Sequence, residues 1–519
     1  METNYGILSL LPILLTIGLA IKTRKVIVSL LAGVFTGVLI LVGGNPMTAV
    51  TTLLKDFVLA QLLDSYNAGV ILLLVFIGGF VTLVEKSGAA ETLNRSVAKI
   101  INNRHKTQIA AWIGGIIVFF SDLGTPLIVG PVFTPLFKKM RISKEKLAWI
   151  LDTTASPVCI LIPFIGWGVY SMGLIQTELD ALNITHITDF NAFVSAIPFQ
   201  FYAILSLLLV PIVAISGREF SAMAKAEQRA MQGVFSTLED GVEERQEMIL
   251  NNDASPLLLL IPLLVLFVTL FGLLIPQGFP FTPVPGSAFR ISLMTGYLFG
   301  AISLILLMKF FKLKSLSDGI SMYISGCGKL FDVIMMLVLA WSLSSAGKLL
   351  GTSSYIVQLA QDNIPAWSIP AIIFLIAALI SFSTGTSWGT FAIMMPIAIP
   401  MAIALGAPLY VTIAAVLSGG LFGDHCSPVS DTTILSATGA TCGLIDHVKT
   451  QLPYALITGS ISLMGFVIAG IYESVIVTLL CILMLIAVYY ALSKTKIGTK
   501  IANLTIEEIE NLERLESAK

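Results

Sequence analysis

Long apolar segments separated by short polar connections run along almost the whole chain. A helix needs about 20 residues to cross the hydrocarbon core of a bilayer. Segments near this length lie at residues 5–21, 26–43, 67–85, 146–170, 193–216, 255–276, 289–311, 325–346, 409–437, 453–472 and 474–493. The pattern therefore predicts an all-α polytopic membrane protein.

Two further apolar regions, residues 107–137 and 368–403, are interrupted in the middle by the polar stretches SDLGTP (121–126) and STGTS (383–387). Each limb has only about 14 residues, too few to cross the hydrocarbon core. Irregular backbone is tolerated at that depth when protein or a water-filled cavity surrounds it. We therefore predict two re-entrant hairpins. Pairs of short helices joined at the membrane surface are the alternative.

Basic residues cluster at 22–25, 95–106, 137–141, 309–314 and 494–496. Basic loops mark the cytoplasmic side of a membrane protein. The clusters place the amino terminus outside and both ends of the region 107–137 in the cytoplasm. The hairpin 107–137 therefore leaves the cytoplasmic side and returns to it, whereas 368–403 does the same from the outside.

The two halves of the chain carry similar features in the same order. The tips FSDLGT (120–125) and FSTGTS (382–387) correspond, as do ASPV (155–158) and CSPV (426–429), which break the spans 146–170 and 409–437. The predicted organisation is a first repeat at 1–216, a cytoplasmic, solvated linker at 217–254, a second repeat of opposite orientation at 255–472, an additional transmembrane helix at 473–493 and a cytoplasmic tail at 494–519. Inverted-topology repeats with two broken transmembrane helices are typical of secondary transporters.

The composition agrees with a lipid environment. Charged residues make up 12% of the chain and the mean hydropathy is +0.91, whereas soluble domains carry about 25% charged residues. The net charge of −1 argues against nucleic-acid binding. The five cysteines include no CxxC pair, which argues against a metal cluster or a disulfide framework.

An apolar region contains a stretch rich in carboxylate and hydroxyl side chains, GDHCSPVSDTTILSATGATC (423–442). Asp424 and Asp431 would share one face of a straight helix, because seven residues make about two turns. Carboxylates and hydroxyls suit a small hard cation. A charged carboxylate is costly in the membrane, so one that alternately holds a proton and a cation would perform antiport. The predicted ion and proton site is Asp424, Asp431, Ser427, Thr432, Thr433, Asp152 and Thr153, with sodium at the Asp424/Asp431 region.

Structural alternatives stay open for several of these residues. Asp431 and Asp122 could instead cap the helices that follow them. His425 either relays protons or donates to a backbone carbonyl, and the sequence indicates no other histidine in the membrane. Lys329 and Asp332 flank the start of an apolar span at i, i+3 spacing and form either a structural ion pair facing the bundle or part of the transport machinery.

The residues GDHCSPVSDTTILS (423–436) resemble the signature of the NhaC-type sodium/proton antiporter family, part of the ion transporter superfamily. The similar architecture covers about residues 5–493. The resemblance implies a homodimer in the bacterial cytoplasmic (inner) membrane, with a scaffold part and a moving transport part. It implies that Asp424, Ser427, Asp431 and Thr432 lie near the ion site. It further implies a substrate cavity at the hairpin tips, with Ser121, Asp122, Thr125, Ser383, Thr384, Thr386 and Ser387.

Two transport functions follow from these features. The first is sodium/proton antiport by alternating access. The second is sodium- or proton-coupled transport of a small organic solute, either a carboxylate such as malate or lactate or an amino acid, because the family includes malate/lactate exchangers. Asp122 would repel an anion, and no arginine, the usual carboxylate partner, lies in any break. We predict no enzymatic activity and no cofactor, with sodium as substrate or coupling ion.

Overall fold

Helices make up most of the computed structural model. It describes residues 5–89, 92, 101–235, 255–279, 281, 284–352, 355, 358, 364–495 and 498–517. Within these ranges, ten helices are long and apolar enough to cross a membrane, or up to twelve when each of two bent pairs is counted as one span. The prediction of an all-α polytopic membrane protein is confirmed.

Thirteen α-helices lie in the described residues before residue 236. They are Leu11–Thr23, Val26–Leu41, Pro46–Thr52, Leu59–Leu63, Ser65–Ser87, Arg104–Ile117, Gly124–Lys139, Lys144–Thr154, Ser156–Cys159, Gly166–Ala181, Asp189–Ala196, Phe201–Ser216 and Ser221–Met231. Single turns of 3-10 or π helix lie at Gly6–Leu10, Leu53–Val58 and Ile197–Phe199.

The part after residue 254 begins with two long apolar helices and ends in the tail helix. Its α-helices are Leu257–Leu274, Gly286–Phe310, Leu316–Cys327, Phe331–Leu350, Ile369–Thr384, Ser387–Leu405, Leu409–Cys426, Asp431–Gly439, Leu444–Tyr472, Ile476–Ser493 and Ile506–Ser517. Short 3-10 turns lie at Ile275–Gln277 and Ala366–Ser368, and a small antiparallel sheet pairs Arg218–Phe220 with Gly498–Lys500.

The helical segment that follows Val26–Leu41 was not predicted. After Val26–Leu41 the chain turns through 114° and continues as helix from Pro46 to Leu63. Gly43 and Gly44 have φ of +71° and +88°, a conformation that glycine adopts at no steric cost. The Asn45 side chain then caps the new helix by accepting bonds from two backbone amides. The two glycines and Asn45 thus turn the chain into a second helix, where the sequence had indicated only a loop between two spans.

The predicted span 325–346 is part of a longer, interrupted helix. Leu316–Cys327 and Phe331–Leu350 follow one another with a break at residues 328–330. The first piece begins with a capping box in which Ser315 and Asp318 bond each other's backbone amides. Lys329 therefore lies in a helix break and not within a regular helix.

Both predicted hairpins are present as pairs of helices joined at the polar tips. The first hairpin consists of Arg104–Ile117 and Gly124–Lys139, with limbs of 14 and 16 residues. The second hairpin consists of Ile369–Thr384 and Ser387–Leu405, and Gly385 turns the chain with φ +69°. With the 3-10 turn that precedes it, the first limb runs from Ala366 to Thr384 and has 19 residues, as does the second limb, Ser387–Leu405. The expected limb length of about 14 residues is therefore wrong for this hairpin. That both hairpins are re-entrant stays a prediction.

Both predicted breaks are present, but the span predicted at 146–170 ends at Cys159 and residues 166–170 belong to the next helix, Gly166–Ala181; that the two interrupted helices are broken transmembrane spans stays a prediction. The first broken helix is Lys144–Thr154 followed by Ser156–Cys159, and the second is Leu409–Cys426 followed by Asp431–Gly439. Leu409–Cys426 is 89% buried, the most enclosed of the candidate spans. Because this helix ends before Asp431, Asp424 and Asp431 lie on different helices. The expectation that they share one straight helical face is wrong.

The linker and the tail pack against the helices instead of being merely solvated. Ser221–Met231, at the start of the predicted linker, buries Met223 and Glu227. Glu227 pairs with Arg104 at 2.5 Å, both side chains being at most 2% exposed. Tail residues 498–500 complete the small sheet. Residues 236–254 and Lys496 lie outside the described residues.

Candidate functional site

The tips of both hairpins and the second broken helix line one cavity of about 270 Å³. Asp122 comes from the first tip, and Gly385 and Thr386 come from the second. The second broken helix contributes Asp424, Ser430, Asp431 and Thr432. Three of the four polar interruptions in the sequence therefore meet at one space. The fourth, at Asp152, lies immediately beside it through its contact with Thr433.

Asp424 lies in the last turn of Leu409–Cys426 and is 6% exposed. Its Oδ2 accepts a hydrogen bond from the Ser387 hydroxyl at 2.7 Å, whereas its Oδ1 has no hydrogen-bond partner. Glycine makes this approach of the two helices feasible, since a Cβ at Gly423 would lie 2.2 Å from the Ala378 carbonyl oxygen. The result is a buried carboxylate with one free oxygen at the cavity wall.

The break between the two pieces of the second broken helix is held against the second hairpin. The Ser427 hydroxyl donates to the Phe382 carbonyl at 2.8 Å, and Ser430 and Thr432 share a hydrogen bond of 3.1 Å. A Cβ at Gly385 would lie 2.7 Å from the Val429 carbonyl oxygen. Ser427 thus fixes the break to the hairpin tip.

Asp431 is the first residue of Asp431–Gly439 and is exposed toward the cavity. Ser430 occupies the N-cap position, and no side chain makes a capping hydrogen bond there. The capping interpretation of Asp431 is therefore wrong. A carboxylate in the first turn still interacts favourably with the helix dipole.

Asp152 forms the second polar centre and is fully buried. Its Oδ2 accepts hydrogen bonds from Gln451 Nε2 at 2.6 Å and from the Thr433 hydroxyl at 3.2 Å. The Nε2 atoms of His447 and His425 lie 3.4 and 3.7 Å from the same oxygen. Its Oδ1 has no hydrogen-bond partner. The centre therefore combines one carboxylate with two imidazoles.

His425 was expected either to relay protons or to donate to a backbone carbonyl, and its imidazole lies between the Tyr202 hydroxyl and Asp152. Its Nδ1 lies 2.9 Å from the Tyr202 hydroxyl, and its own carbonyl oxygen accepts from Gln451 Nε2 at 2.6 Å. His447 shows that the expectation of no other histidine in this region is wrong.

His447, Gln451 and Tyr202 were not predicted from the sequence. The helix Leu444–Tyr472 begins nine residues earlier than predicted, which carries His447 and Gln451 into the protein. Their i, i+4 spacing puts both on one helical face. Polar residues at that spacing ahead of an apolar run are the signal that could have identified them. Tyr202 carries no such signal.

The remaining predicted side chains divide into two groups. Ser121 and Asp122 line a cavity, as does Thr386. The hydroxyls of Thr125, Ser383 and Thr384 instead donate to carbonyls one helical turn earlier. Thr153 is buried without a hydrogen-bond partner for its hydroxyl.

The first hairpin tip is stabilised by Ser121 and not by Asp122. The Ser121 hydroxyl accepts from the Gly124 amide at 2.9 Å and donates to Glu85 Oε1 at 2.8 Å. Leu123 holds the N-cap position at this helix start, and the Ser121 hydroxyl, not the Asp122 carboxylate that was expected there, accepts from the amide of the first helical residue, Gly124.

Glu85 and Lys329 pair at 2.8 Å. The expected partner of Lys329 was Asp332, so that expectation is wrong, because the helix break at 328–330 turns Lys329 toward the helix Ser65–Ser87. A second cavity of about 420 Å³ lies here.

No group of three or more His, Cys, Asp or Glu side chains in the described ranges is arranged to hold a metal ion. At 3.4 Å or more from Asp152, the imidazoles around it are hydrogen-bonding and charge partners. The cavity itself is lined by the carboxylates of Asp424 and Asp431 and the hydroxyls of Ser430 and Thr432, and such oxygens are the ligands that hard cations prefer.

Residues 158–471 match the model of the Na+/H+ antiporter family. The chain belongs to this family. An uncharacterized protein of Haemophilus influenzae is 34% identical over 485 residues, covering 90% of this chain and 92% of its own. The arginine/ornithine antiporter ArcD of Halobacterium salinarum is 33% identical over 163 residues, 30% of this chain and 32% of that protein.

The fold also has a solved counterpart. The structure of MtrF from Neisseria gonorrhoeae, described as illuminating a class of antimetabolite efflux pumps, aligns with a TM-score of 0.58 at 15% identity. The alignment covers 82% of this chain and 85% of that one. The family match confirms the resemblance drawn from residues 423–436 and the predicted class of function, a multi-pass membrane antiporter.

Proposed function

We propose that the protein exchanges sodium for protons at Asp424, where the two cations compete for one carboxylate. The observation that carries the proposal is the state of this side chain. It is 6% exposed, lies on the cavity wall, and has one oxygen bonded to Ser387 and the other without a partner. A charge in such surroundings is costly unless a proton or cation neutralises it.

Oxygen ligands for sodium are at hand around Asp424. Ser387 is bonded to the carboxylate, while Ser430, Thr432 and Asp431 line the same cavity. Hydroxyl and carboxylate oxygens are the ligands that hard cations prefer. In this proposal sodium binds at the Asp424/Asp431 region, and Ser427 keeps the helix break in position.

Protons would reach the site through the Asp152 centre. Asp152 and His425 are charge partners, and His425 contacts Tyr202. Thr433 bonds Asp152 from the helix that begins at Asp431. Because His425 directly follows Asp424, a proton that passes from Asp152 to His425 is held one residue along the chain from the sodium carboxylate. Thr153 supplies a further buried hydroxyl beside Asp152.

Alternating access would move the hairpins and broken helices together as the transport part. Support comes from their close packing, since a Cβ at Gly130 of the first hairpin would lie 2.4 Å from the Gly439 carbonyl oxygen of the second broken helix. The division into inverted repeats at 1–216 and 255–472, the homodimer and the bacterial cytoplasmic membrane belong to the same proposal.

A second candidate is coupled exchange of an organic solute. The cavity of about 420 Å³ beside Glu85 favours it, because a water-sized particle needs only about 30 Å³ and sites for small organic molecules span about 300–1,000 Å³. Sodium would then drive or exchange with that solute.

Purified protein in proteoliposomes with a pH-sensitive dye tests the proposal. A sodium gradient alone is expected to move protons in the wild type. Asp424→Asn should abolish that movement and Asp431→Asn should weaken it, whereas Asp56→Asn, an exposed carboxylate outside both cavities, should leave it intact. Wild-type exchange in Asp424→Asn would refute the assignment. Proton movement that requires an added organic solute would favour the second candidate.

A further inference from the structure

The cavity of about 420 Å³ has apolar walls and charged ends. Glu85, Asp122 and Lys329 supply the charged groups. The apolar wall is formed by Ile77, Val81, Phe120, Leu123, Leu127, Leu330 and Leu435, with Trp167 and Trp388. It shares Asp122, Trp167, Lys329 and Trp388 with the smaller cavity at Asp424. A solute bound here would thus lie directly beside the proposed sodium carboxylate.

Charge decides which solutes this space favours. Five carboxylates line the two cavities, those of Glu85, Asp122, Asp332, Asp424 and Asp431. Among the described residues that line the cavities, Lys329 is the only basic side chain, and Glu85 already neutralises it at 2.8 Å. An anionic solute would meet net negative charge without a free cation to bind it. A cationic group would find carboxylates on several sides.

The tryptophan pair gives the space its shape. The Trp167 and Trp388 ring centroids lie 4.8 Å apart, and Trp388 is held by Tyr170, whose hydroxyl donates to the Trp388 carbonyl at 2.7 Å. The Trp167 indole N–H is buried and makes no hydrogen bond of normal geometry, although it lies near the Asp122 carboxylate. Aromatic faces attract ammonium groups, most strongly in tryptophan.

We propose that this cavity binds an organic primary amine. Its ammonium group lies against Asp122 and its apolar body packs on Trp167 and Trp388. The inference rests on the proposed sodium-coupled transport and names the class of the organic solute. Simple amines and amino acids share this chemistry, because both present an ammonium group. Monocarboxylates and dicarboxylates, which lack it, are excluded by the charge of the walls.

Three probes with one phenyl body separate the chemistries. They are 2-phenylethylamine, phenylalanine and 3-phenylpropionate, titrated calorimetrically into the full-length protein in detergent with the detergent blank subtracted. We expect at least one of the two ammonium-bearing probes to bind and the anion not to bind. Binding of both indicates recognition of the ammonium alone. Binding of phenylalanine only indicates that the carboxylate of the solute is recognised together with its ammonium group.

Variants locate the binding site. Asp122→Asn should weaken binding of the ammonium-bearing probe at least tenfold, and Trp167→Phe should weaken it less, because the ring is kept. Asp56→Asn should bind as the wild type does. The inference is overturned when 3-phenylpropionate binds as tightly as the amines, when neither amine binds, or when both cavity variants retain wild-type affinity.

The same preparations keep the two proposals separable. Sodium-driven proton movement without any amine binding overturns the amine site and leaves sodium/proton exchange standing. Amine binding without any sodium-driven proton movement, with or without amine in the vesicles, overturns the exchange proposal and leaves a binding site.

Discussion

Gly130→Ala tests the contact between the first hairpin and the second broken helix. A Cβ at residue 130 would lie 2.4 Å from the Gly439 carbonyl oxygen, and one at Gly439 would lie 2.3 Å from the Pro126 carbonyl oxygen. Heavy atoms in contact prefer about 3.5 Å or more. The added methyl group must therefore push two backbones apart by about 1 Å, and neither can give as a side-chain end would.

The expected cost follows from two opposing effects. Overpacking a tight interior costs about 1–3 kcal/mol. Alanine in place of glycine within a helix returns about 0.5–1 kcal/mol through backbone entropy. Gly130→Ala should thus lower the free energy of unfolding by up to about 2.5 kcal/mol. The Thr134 hydroxyl, which donates to the Gly439 carbonyl at 3.1 Å, should lose its bond as the helices separate.

Gly272→Ala is the matched control. Gly272 lies inside the helix Leu257–Leu274, and a Cβ there would meet nothing within 4 Å. Gly272→Ala gains helix propensity and introduces no steric clash. The difference between the free energies of unfolding of the two variants therefore measures the cost of the clash, which we expect to be about 1–3 kcal/mol.

Unfolding in mixed micelles, followed by tryptophan fluorescence during a denaturing-detergent titration, measures both variants. Sodium-driven proton movement in proteoliposomes should fall in Gly130→Ala and stay at the wild-type rate in Gly272→Ala. Equal free energies of unfolding for the two variants would refute the close packing of the hairpin on the broken helix.

Three further predictions concern single polar contacts. Ser387→Ala should raise the sodium concentration for half-maximal exchange about tenfold or more, because hydrogen bonds to charged groups contribute about 1.5–3 kcal/mol; Ser303→Ala, which removes a hydroxyl bonded within its own helix, should leave that concentration unchanged. Glu227→Gln should cost about 3–5 kcal/mol of unfolding free energy by leaving a buried arginine unpaired, whereas Glu510→Gln, at an exposed pair, should cost under about 1 kcal/mol; similar losses in both would contradict the buried pair. Gln451→Leu should slow proton movement while sodium binding, measured calorimetrically, is retained, and unchanged exchange would argue against the Asp152 centre.

The apolar pattern was sufficient for the fold class and for the position of most helices. The thickness of the hydrocarbon core sets the length of a transmembrane helix. A run of about 20 apolar residues has that length, so the helix can be predicted from the local sequence. Proline and glycine likewise allowed the helix breaks near residues 155 and 427 to be predicted from the local sequence. The stretch 423–436 also indicated the family, and the match over residues 158–471 confirms it.

Tertiary packing decided which polar side chains meet. Asp152 lies against His447 and Gln451, almost 300 residues away, because the helix Leu444–Tyr472 begins earlier than its apolar run. Lys329 pairs with Glu85 and not with its near neighbour Asp332. Helix period and length are local properties of the chain, whereas the partner of a buried charge depends on which helices pack together. The sequence alone therefore determined the membrane class, the breaks and the family, and only the folded helices determined the carboxylate–histidine centre and the walls of the cavities.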